Sequence, residues 1–326
     1  MNRREFLLGA SAATAVAATT GCVAAKGKAK LDPNRVAIAA DIHIPLPWSE
    51  QRYRTGREYP WIVDTVKAHI AEILALDPLP ANVISLGDMS IAFGEEKEYA
   101  ILRELLRPLR DRGIKVTLGM GNHDRRGNFL EVFPEYRKST QVEGRIVSVV
   151  NLPTCDLVLL DSLASKDGEV RGAVGGDLGE AQGEWLVDYL AKAKRPTFVG
   201  AHHTATELKV KGKTIISALK DGPTVVGWIN GHVHNWMKEP LVSWNATNQD
   251  TIRALHLPSA GLWGDIGYVE FRVGPTEAIA SLVEKDYWFN DELHPDERKP
   301  EVWKAIIEEN QGQFCRFPFA RMLRAV

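Results

Sequence analysis

The sequence has few cysteines, little net charge and no internal repeat. Its 326 residues include three cysteines, 40 lysines and arginines, and 42 aspartates and glutamates, so the formal net charge is −2. This balance excludes a nucleic-acid-binding protein that depends on overall positive charge. Thiolate ligands are also too scarce and too scattered for a cysteine-rich structural zinc site. The composition is otherwise that of an ordinary globular protein.

The first 30 residues have the features of an export signal and not those of a membrane span. Arg3 and Arg4 precede an alanine-rich run from about Phe6 to Ala18, which is too short and too weakly apolar to cross a bilayer well. The segment from Arg3 to Leu7 resembles a twin-arginine signal. We therefore expect residues 1–30 to be an export signal and the protein to be periplasmic or located in the cell envelope.

The cysteines leave two questions open. Residues 18–22 (Ala-Thr-Thr-Gly-Cys) resemble a lipoprotein cleavage box, which would make Cys22 the site of a lipid anchor to the membrane. A simple cleavage after Ala25 is the alternative. Cys155 and Cys315 would remain in the exported chain, and an oxidising compartment would allow them to pair. The sequence does not determine whether they meet.

Two kinds of apolar segment alternate along the remaining chain. Short runs rich in β-branched residues, such as 36–40 and 83–86, predict buried strands, whereas 61–76 and 95–109 have helical spacing. This alternation predicts a layered α/β fold.

Polar clusters follow five of the predicted strands, and six of the nine histidines lie in them. Ligands bind at the carboxyl ends of strands in α/β sheets, so clusters far apart in sequence can converge on one site. Imidazole and carboxylate ligands together suit Mn, Fe or Zn. The clusters are Asp41-Ile42-His43, Gly87-Asp88, Gly121-Asn122-His123-Asp124, His202-His203 and Gly231-His232-Val233-His234.

These five blocks, in this order and spacing, resemble the calcineurin-like metallophosphoesterases. The resemblance extends from about Val36 to His234, and more loosely to Val283. It implies a layered β-sandwich core flanked by helices, over residues 31–284, with residues 285–326 packed on that core as an extension. It also implies a phosphoric ester hydrolase with two divalent or trivalent metal ions (Mn, Fe or Zn).

The resemblance assigns metal ligands residue by residue. One ion would be bound by Asp41, His43 and His234. The other ion would be bound by Asn122, His202 and His232, and the carboxylate of Asp88 would bridge the two ions.

The residues around these ligands also receive roles from the resemblance. His123 would be the catalytic residue beside the scissile phosphate and would assist the leaving oxygen. Asp124 would orient His123 from behind. Gly119 and Gly121 would let the substrate phosphate approach closely. Hydroxide generated by the metal ions would attack phosphorus.

The fourth block departs from the family pattern, because His202-His203-Thr204 stands where the family has His-x-Pro. Register favours His202 as the ligand, which leaves His203 to contact substrate or to serve the structure. Ile91 occupies the position at which purple acid phosphatases carry a tyrosine ligand, so that branch does not fit.

The first and third blocks are similar to those of bacterial phosphodiesterases, so we expect small phosphodiesters as substrates. A phosphomonoesterase using the same site and a non-catalytic exported metal-binding protein are the alternatives. Basic residues near the blocks, Arg52 and Arg54 in the loop from Trp48 to Trp61 and then Arg125 and Arg126, are candidate substrate contacts. No platform for nucleic acid is evident, and the oligomeric state is left open.

Overall fold

The apolar segments form two six-stranded sheets that pack face to face in the computed structural model. The structure describes residues 29–50, 59, 61–164, 174–243, 251–288 and 300–319. The strands are β1 (Leu31–Ala39), β2 (Leu79–Ser85), β3 (Lys115–Leu118), β4 (Ser148–Asn151), β5 (Asp156–Leu159), β6 (Thr197–Ala201), β7 (Lys209–Val210), β8 (Lys213–Thr214), β9 (Val225–Asn230), β10 (Met237–Ser243), β11 (Thr251–His256), β12 (Gly264–Val273), β13 (Glu277–Trp288) and β14 (Phe314–Pro318).

In the described part of the chain, seven α-helices connect or flank the strands. They are α1 (Trp61–Ala75), α2 (Glu96–Asp111), α3 (Arg126–Val132), α4 (Tyr136–Ser139), α5 (Gly179–Lys192), α6 (Ile215–Asp221) and α7 (Pro300–Asn310).

Parallel strands form the centre of each sheet. The first sheet has the order β14-β13-β12-β1-β2-β3, in which β1, β2 and β3 are parallel. The second has the order β10-β11-β9-β6-β5-β4, in which β5, β6, β9 and β11 are parallel. The pair β7-β8 forms a separate small hairpin. Because the parallel strands of a sheet point the same way, their polar carboxyl-terminal residues collect at one edge.

Alternation along β1 shows why the sheets are covered on both faces. Val36 and Ile38 belong to the core between the two sheets, whereas Ala37 belongs to the core under α1 and α2. Each fully buried aliphatic side chain contributes about 1.5–3 kcal/mol of transfer free energy. The second sheet is covered in the same way, since Leu186 of α5 and Leu219 of α6 share a core with its strands. The layered α/β sandwich flanked by helices is therefore confirmed.

Two described segments after residue 284, the end of β13 and all of β14, are part of the first sheet. The boundary expected at residue 284 lies inside β13, and β14 pairs with β13 as the edge strand. Phe317 of β14 lies in the core between the sheets, with its ring 5.2 Å from that of Phe198. Cys155 and Cys315 are both buried and free. No helix in the described part of the chain is long and apolar enough to cross a membrane.

Replacement of Phe317 tests how far the first sheet depends on β14. Phe317 is fully buried, so Phe317→Ala is expected to lower the free energy of unfolding by about 3–5 kcal/mol. Phe314→Ala is the matched control in the same strand, because Phe314 is 47% exposed and should cost only about 0.5 kcal/mol. Urea unfolding followed by circular dichroism measures both. Equal losses for the two variants would show that β14 does not belong to the cooperative core.

Candidate metal site

The five polar clusters meet between the carboxyl ends of β1, β2 and β3 in one sheet and of β6 and β9 in the other. Five of the seven expected metal ligands have left-handed backbone, with φ between 50° and 71°, and these are Asp41, His43, Asp88, His232 and His234. This conformation costs about 1–3 kcal/mol for a residue other than glycine. It turns the chain sharply at the strand end and directs the side chains into one place.

Glycines allow the turns to approach one another. A Cβ atom at Gly87 would lie 2.6 Å from the backbone nitrogen of Gly121, and one at Gly121 would lie 2.1 Å from Oδ1 of Asp88. The space beside Gly121 is thus filled by the Asp88 carboxylate and the His202 ring. The expectation that Gly121 makes room for substrate phosphate is corrected: its missing side chain makes room for the site's own residues.

Asp41, His43 and His234 form a first group of potential ligands. Oδ1 of Asp41 lies 3.2 Å from Nε2 of His234 and 3.9 Å from Nε2 of His43. The two imidazole Nε2 atoms are 3.3 Å apart. Three ligand atoms that converge this closely can surround a single cation.

A second group surrounds Nε2 of His202. Oδ1 of Asn122 lies 3.1 Å from this atom, Nδ1 of His232 lies 3.2 Å away and Oδ2 of Asp88 lies 3.3 Å away. The same Asp88 oxygen is 3.8 Å from Nε2 of His43 in the first group. The structure therefore brings all seven expected ligands together, with Asp88 between the two groups.

Backbone carbonyls orient three of the imidazole rings. Nδ1–H of His43 donates to the carbonyl oxygen of Ser90 at 3.1 Å, and Nδ1–H of His202 donates to that of Leu86 at 3.0 Å. His234 donates in the same way to Leu262. A ring with its proton on Nδ1 has an unprotonated Nε2, so each of these rings directs a lone pair into the site.

His232 has the opposite orientation. Its Nδ1 faces the second group, and its Nε2 lies 3.9 Å from Oε2 of Glu207. The Glu207 carboxylate accepts a 2.6 Å hydrogen bond from the hydroxyl of Thr204, which holds it beside the ring. Sequence reasoning missed Glu207. Its signal was a carboxylate five residues after His202 in the block that lacks the family's proline.

The electrostatics of the cluster favour positive charge at its centre. Burial opposes the protonated form of His202, but the Asp88 carboxylate outweighs it and raises the pKa of His202 to about 9. Burial also opposes ionisation of Asp88, yet the neighbouring imidazoles of His202 and His123 hold its pKa well below the usual range. The chemistry of the donor set and this preference for positive charge fit bound cations.

The His123 ring is held at the rim of the site. Its Nδ1–H donates to the carbonyl oxygen of Ile91 at 2.7 Å, and its Nε2 lies 3.8 Å from Oδ2 of Asp88. Its backbone N–H donates to the other Asp88 oxygen at 2.9 Å. His123 therefore both supports Asp88 and presents Nε2 to the cavity.

Asp124 does not orient the His123 ring, which corrects that expectation, because the ring's Nδ1 is engaged by Ile91. The Asp124 carboxylate instead accepts hydrogen bonds from the backbone N–H groups of Met89 and Gly121 and from the hydroxyl of Tyr99. It thereby joins the turn after β2 to the turn after β3. Asp124 supports the position of Asp88.

Both ring nitrogens of His203 have protein partners. Nδ1 lies 2.8 Å from the hydroxyl of Ser162, and Nε2 lies 2.9 Å from the carbonyl oxygen of Val174. Burial is the largest cause that lowers its pKa to about 3. Of the two roles left open for His203, this arrangement favours the structural one.

Neither Arg125 nor Arg126 is among the described residues that line the cavity. Arg126 is buried and forms a two-pronged ion pair with Asp161 at 2.6 and 2.8 Å, so it is not available to substrate. Arg125 is the residue that precedes α3. Arg52 and Arg54, like Cys22, lie outside the described residues.

Glu207→Gln tests the carboxylate behind His232. Removing the negative charge should lower the affinity of one of two metal ions by about 10-fold, because the carboxylate 3.9 Å from the His232 ring contributes negative charge near that ion. Calorimetric titration of Mn into chelator-treated protein measures the two affinities. Glu184→Gln is the control, since Glu184 is an exposed carboxylate on α5. Unchanged affinities in both variants would contradict the role given to Glu207.

Comparison with known proteins agrees with this geometry. The sequence model of the family described as calcineurin-like phosphoesterase matches residues 34–236. A dimetal phosphatase from Danio rerio has a similar fold, with a TM-score of 0.58 and 14% identity over 77% of this chain and 96% of that chain. The calcineurin-like phosphoesterase YfkN from Bacillus subtilis aligns with a TM-score of 0.40 and 11% identity over 88% of this chain and 90% of that chain.

No curated protein sequence matches the chain significantly. The family match covers all five polar blocks. These include the two turns that each supply two expected ligands, Asp41 with His43 and His232 with His234. The chain therefore belongs to the calcineurin-like phosphoesterase family, which agrees with the expected metal-dependent hydrolase of phosphate esters.

Proposed function

We propose that the protein hydrolyses small phosphodiesters by means of two metal ions bound at the candidate metal site. Asp41, His43 and His234 would hold one ion, Asn122, His202 and His232 the other, and Asp88 would contact both. The mixture of imidazole, carboxylate and amide oxygen suits Mn, Fe or Zn. When bound, such a pair of ions supplies charge stabilisation and a nucleophile at neutral pH.

His123 supplies the proton for the leaving group in this proposal. The carbonyl of Ile91 holds its Nδ1–H, so Nε2 is the atom that exchanges protons with substrate. In the doubly protonated ring, Nε2–H donates to the ester oxygen as its bond to phosphorus breaks. Asp88 accepts the backbone N–H of His123 and so fixes the position of His123 relative to the metal ligands.

The lining of the cavity supports the proposed preference for diesters. The cavity next to the metal ligands has a volume of about 360 Å³, and the described residues that line it include no lysine or arginine. A monoester carries up to two negative charges and gains most from cationic side chains, whereas a diester carries one. Val233, Trp263 and Tyr287 offer an apolar wall for the second ester group.

Comparison of two chromogenic esters tests this preference. We expect the metal-loaded protein to hydrolyse bis-p-nitrophenyl phosphate with a kcat/KM about tenfold higher than that for p-nitrophenyl phosphate, which corresponds to about 1.4 kcal/mol. The reverse ratio would make the protein a phosphomonoesterase. Hydrolysis of neither ester, with both ions bound, would instead support the non-catalytic metal-binding alternative.

Two variants control that comparison. Asp88→Ala should abolish hydrolysis of both esters together with binding of at least one ion. His123→Gln should lower kcat by about 100-fold for an alkyl diester, whose leaving oxygen needs a proton, while the metal content stays at two ions. Undiminished kcat for that alkyl diester would rule out His123 as the acid.

We also propose that the chain is exported through the twin-arginine pathway and that Cys22 is the candidate lipid site. Support comes from the residue pattern of the N-terminal segment, most of which lies outside the described residues. Cell fractionation of the chain and of an Arg3→Lys, Arg4→Lys double variant tests export, and retention of the double variant inside the cell is expected.

A further inference from the structure

We propose that Trp263 and Tyr287 form a binding surface for a planar aromatic ring, so that preferred substrates carry such a ring close to the phosphate. The inference rests on the proposed phosphodiesterase function and adds the chemical class of the ester group. Neither aromatic residue belongs to the five metal-ligand blocks, and both lie beyond residue 236, where the family match ends.

Trp263 stands at an unusual backbone position next to the metal ligands. It lies just before β12 and has a φ of 60°, which is a genuine outlier for a bulky side chain. Such outliers persist only where the surrounding structure holds them, and they cluster at functional sites. The indole is partly exposed, packs on one side against the core under α1 and α2, and lines the cavity.

The turn that carries Trp263 is tied to two of the metal ligands. The Ser259 hydroxyl donates to the carbonyl oxygen of Asp41 at 2.9 Å and accepts from the backbone N–H of Leu262 at 2.8 Å. The carbonyl oxygen of Leu262 accepts from the His234 ring. The indole is thus held in a fixed relation to the first group of ligands, with its ring 5.8 Å from that of His234 and tilted by 30°.

The pairing of β12 with β13 places Tyr287 on the same side of the cavity as Trp263. Asp265 of β12 pairs with Tyr287 of β13, and Gly264 pairs with the following residue, so Tyr287 lies beside the turn that carries Trp263. Both aromatic residues line the same cavity of about 360 Å³ as Asn122 and His123. The missing side chain at Gly264 makes room for the backbone of His234, since a Cβ atom there would lie 2.0 Å from the His234 carbonyl oxygen.

This arrangement suits a flat ring better than a flexible chain. Aromatic rings bind one another in offset-stacked or edge-to-face geometry, which adds to the burial of apolar surface. A ring attached through the ester oxygen would reach Trp263 while its phosphate lies at the metal ligands, because the cavity contains both. Nucleoside and aryl phosphodiesters have this chemistry.

Binding of three phosphonates to the metal-loaded protein tests the inference without turnover. Phenylphosphonate has a planar ring, cyclohexylphosphonate has a puckered ring of similar size, and methylphosphonate has no ring. We expect phenylphosphonate to bind about tenfold more tightly than the other two, as measured by calorimetry. Equal affinities for the phenyl and cyclohexyl compounds, or no binding of any of the three, would overturn the proposal.

Variants locate the effect. Trp263→Leu should remove the phenyl preference and Trp263→Phe should retain most of it, while Trp185→Leu on α5 should change nothing. If Trp263→Leu does not fold, Tyr287→Leu takes its place and should reduce the preference. A phenyl preference that survives both Trp263→Leu and Tyr287→Leu would show that the ring binds elsewhere.

The same preparations separate this proposal from the proposed function. Hydrolysis of bis-p-nitrophenyl phosphate without a phenyl preference among the phosphonates would leave the phosphodiesterase intact and remove the aromatic surface. A phenyl preference that depends on Trp263, in a protein that hydrolyses no diester, would keep the surface and remove the phosphodiesterase.

Discussion

The site depends on backbone hydrogen bonds between the turns that follow β1 and β2. The backbone N–H of Asp41 donates to the carbonyl oxygen of Gly87, and that of His43 donates to Asp88. Each turn has left-handed residues that would be unfavourable alone, and each supplies the hydrogen-bond acceptors or donors that hold the other. Because the ligand side chains leave from these turns, their convergence follows from backbone geometry before any metal ion binds.

The third turn, after β3, is connected to these turns by hydrogen bonds to two carboxylates. Oδ1 of Asp88 accepts the backbone N–H of His123, and Asp124 accepts backbone N–H groups from Met89 after β2 and from Gly121 after β3. Burial raises the pKa of Asp124 to about 7. The burial that makes the hydrogen-bond network rigid therefore also makes the ionised Asp124 carboxylate energetically unfavourable. Gly87 and Gly121 permit this arrangement, since a side chain at either position would displace backbone or the Asp88 carboxylate.

The partner of the outer ring nitrogen determines how each ligand histidine is oriented. A ring whose outer nitrogen donates to a backbone carbonyl has its inner nitrogen available as a ligand, and His43, His202 and His234 follow that rule. His232 reverses it and faces the carboxylate of Glu207. The carboxylate lies 3.9 Å from the ring, which is too far for a direct hydrogen bond, but it gives one of the two ion positions an additional source of negative charge.

The sequence by itself determined the layered α/β fold and the five polar clusters, because period-2 and helical patterns are local and because polar residues directly after apolar strands are rare without a function. The role expected of each ligand came from the resemblance to the calcineurin-like metallophosphoesterases. Tertiary structure alone decided which ring nitrogen each histidine directs inward, that Ile91 and not Asp124 orients His123, and that Arg126 is engaged by Asp161. It also brought Glu207, Trp263 and Tyr287 to the site from separate segments. These features depend on contacts between turns of two different sheets, and no local pattern in the chain encodes such distances.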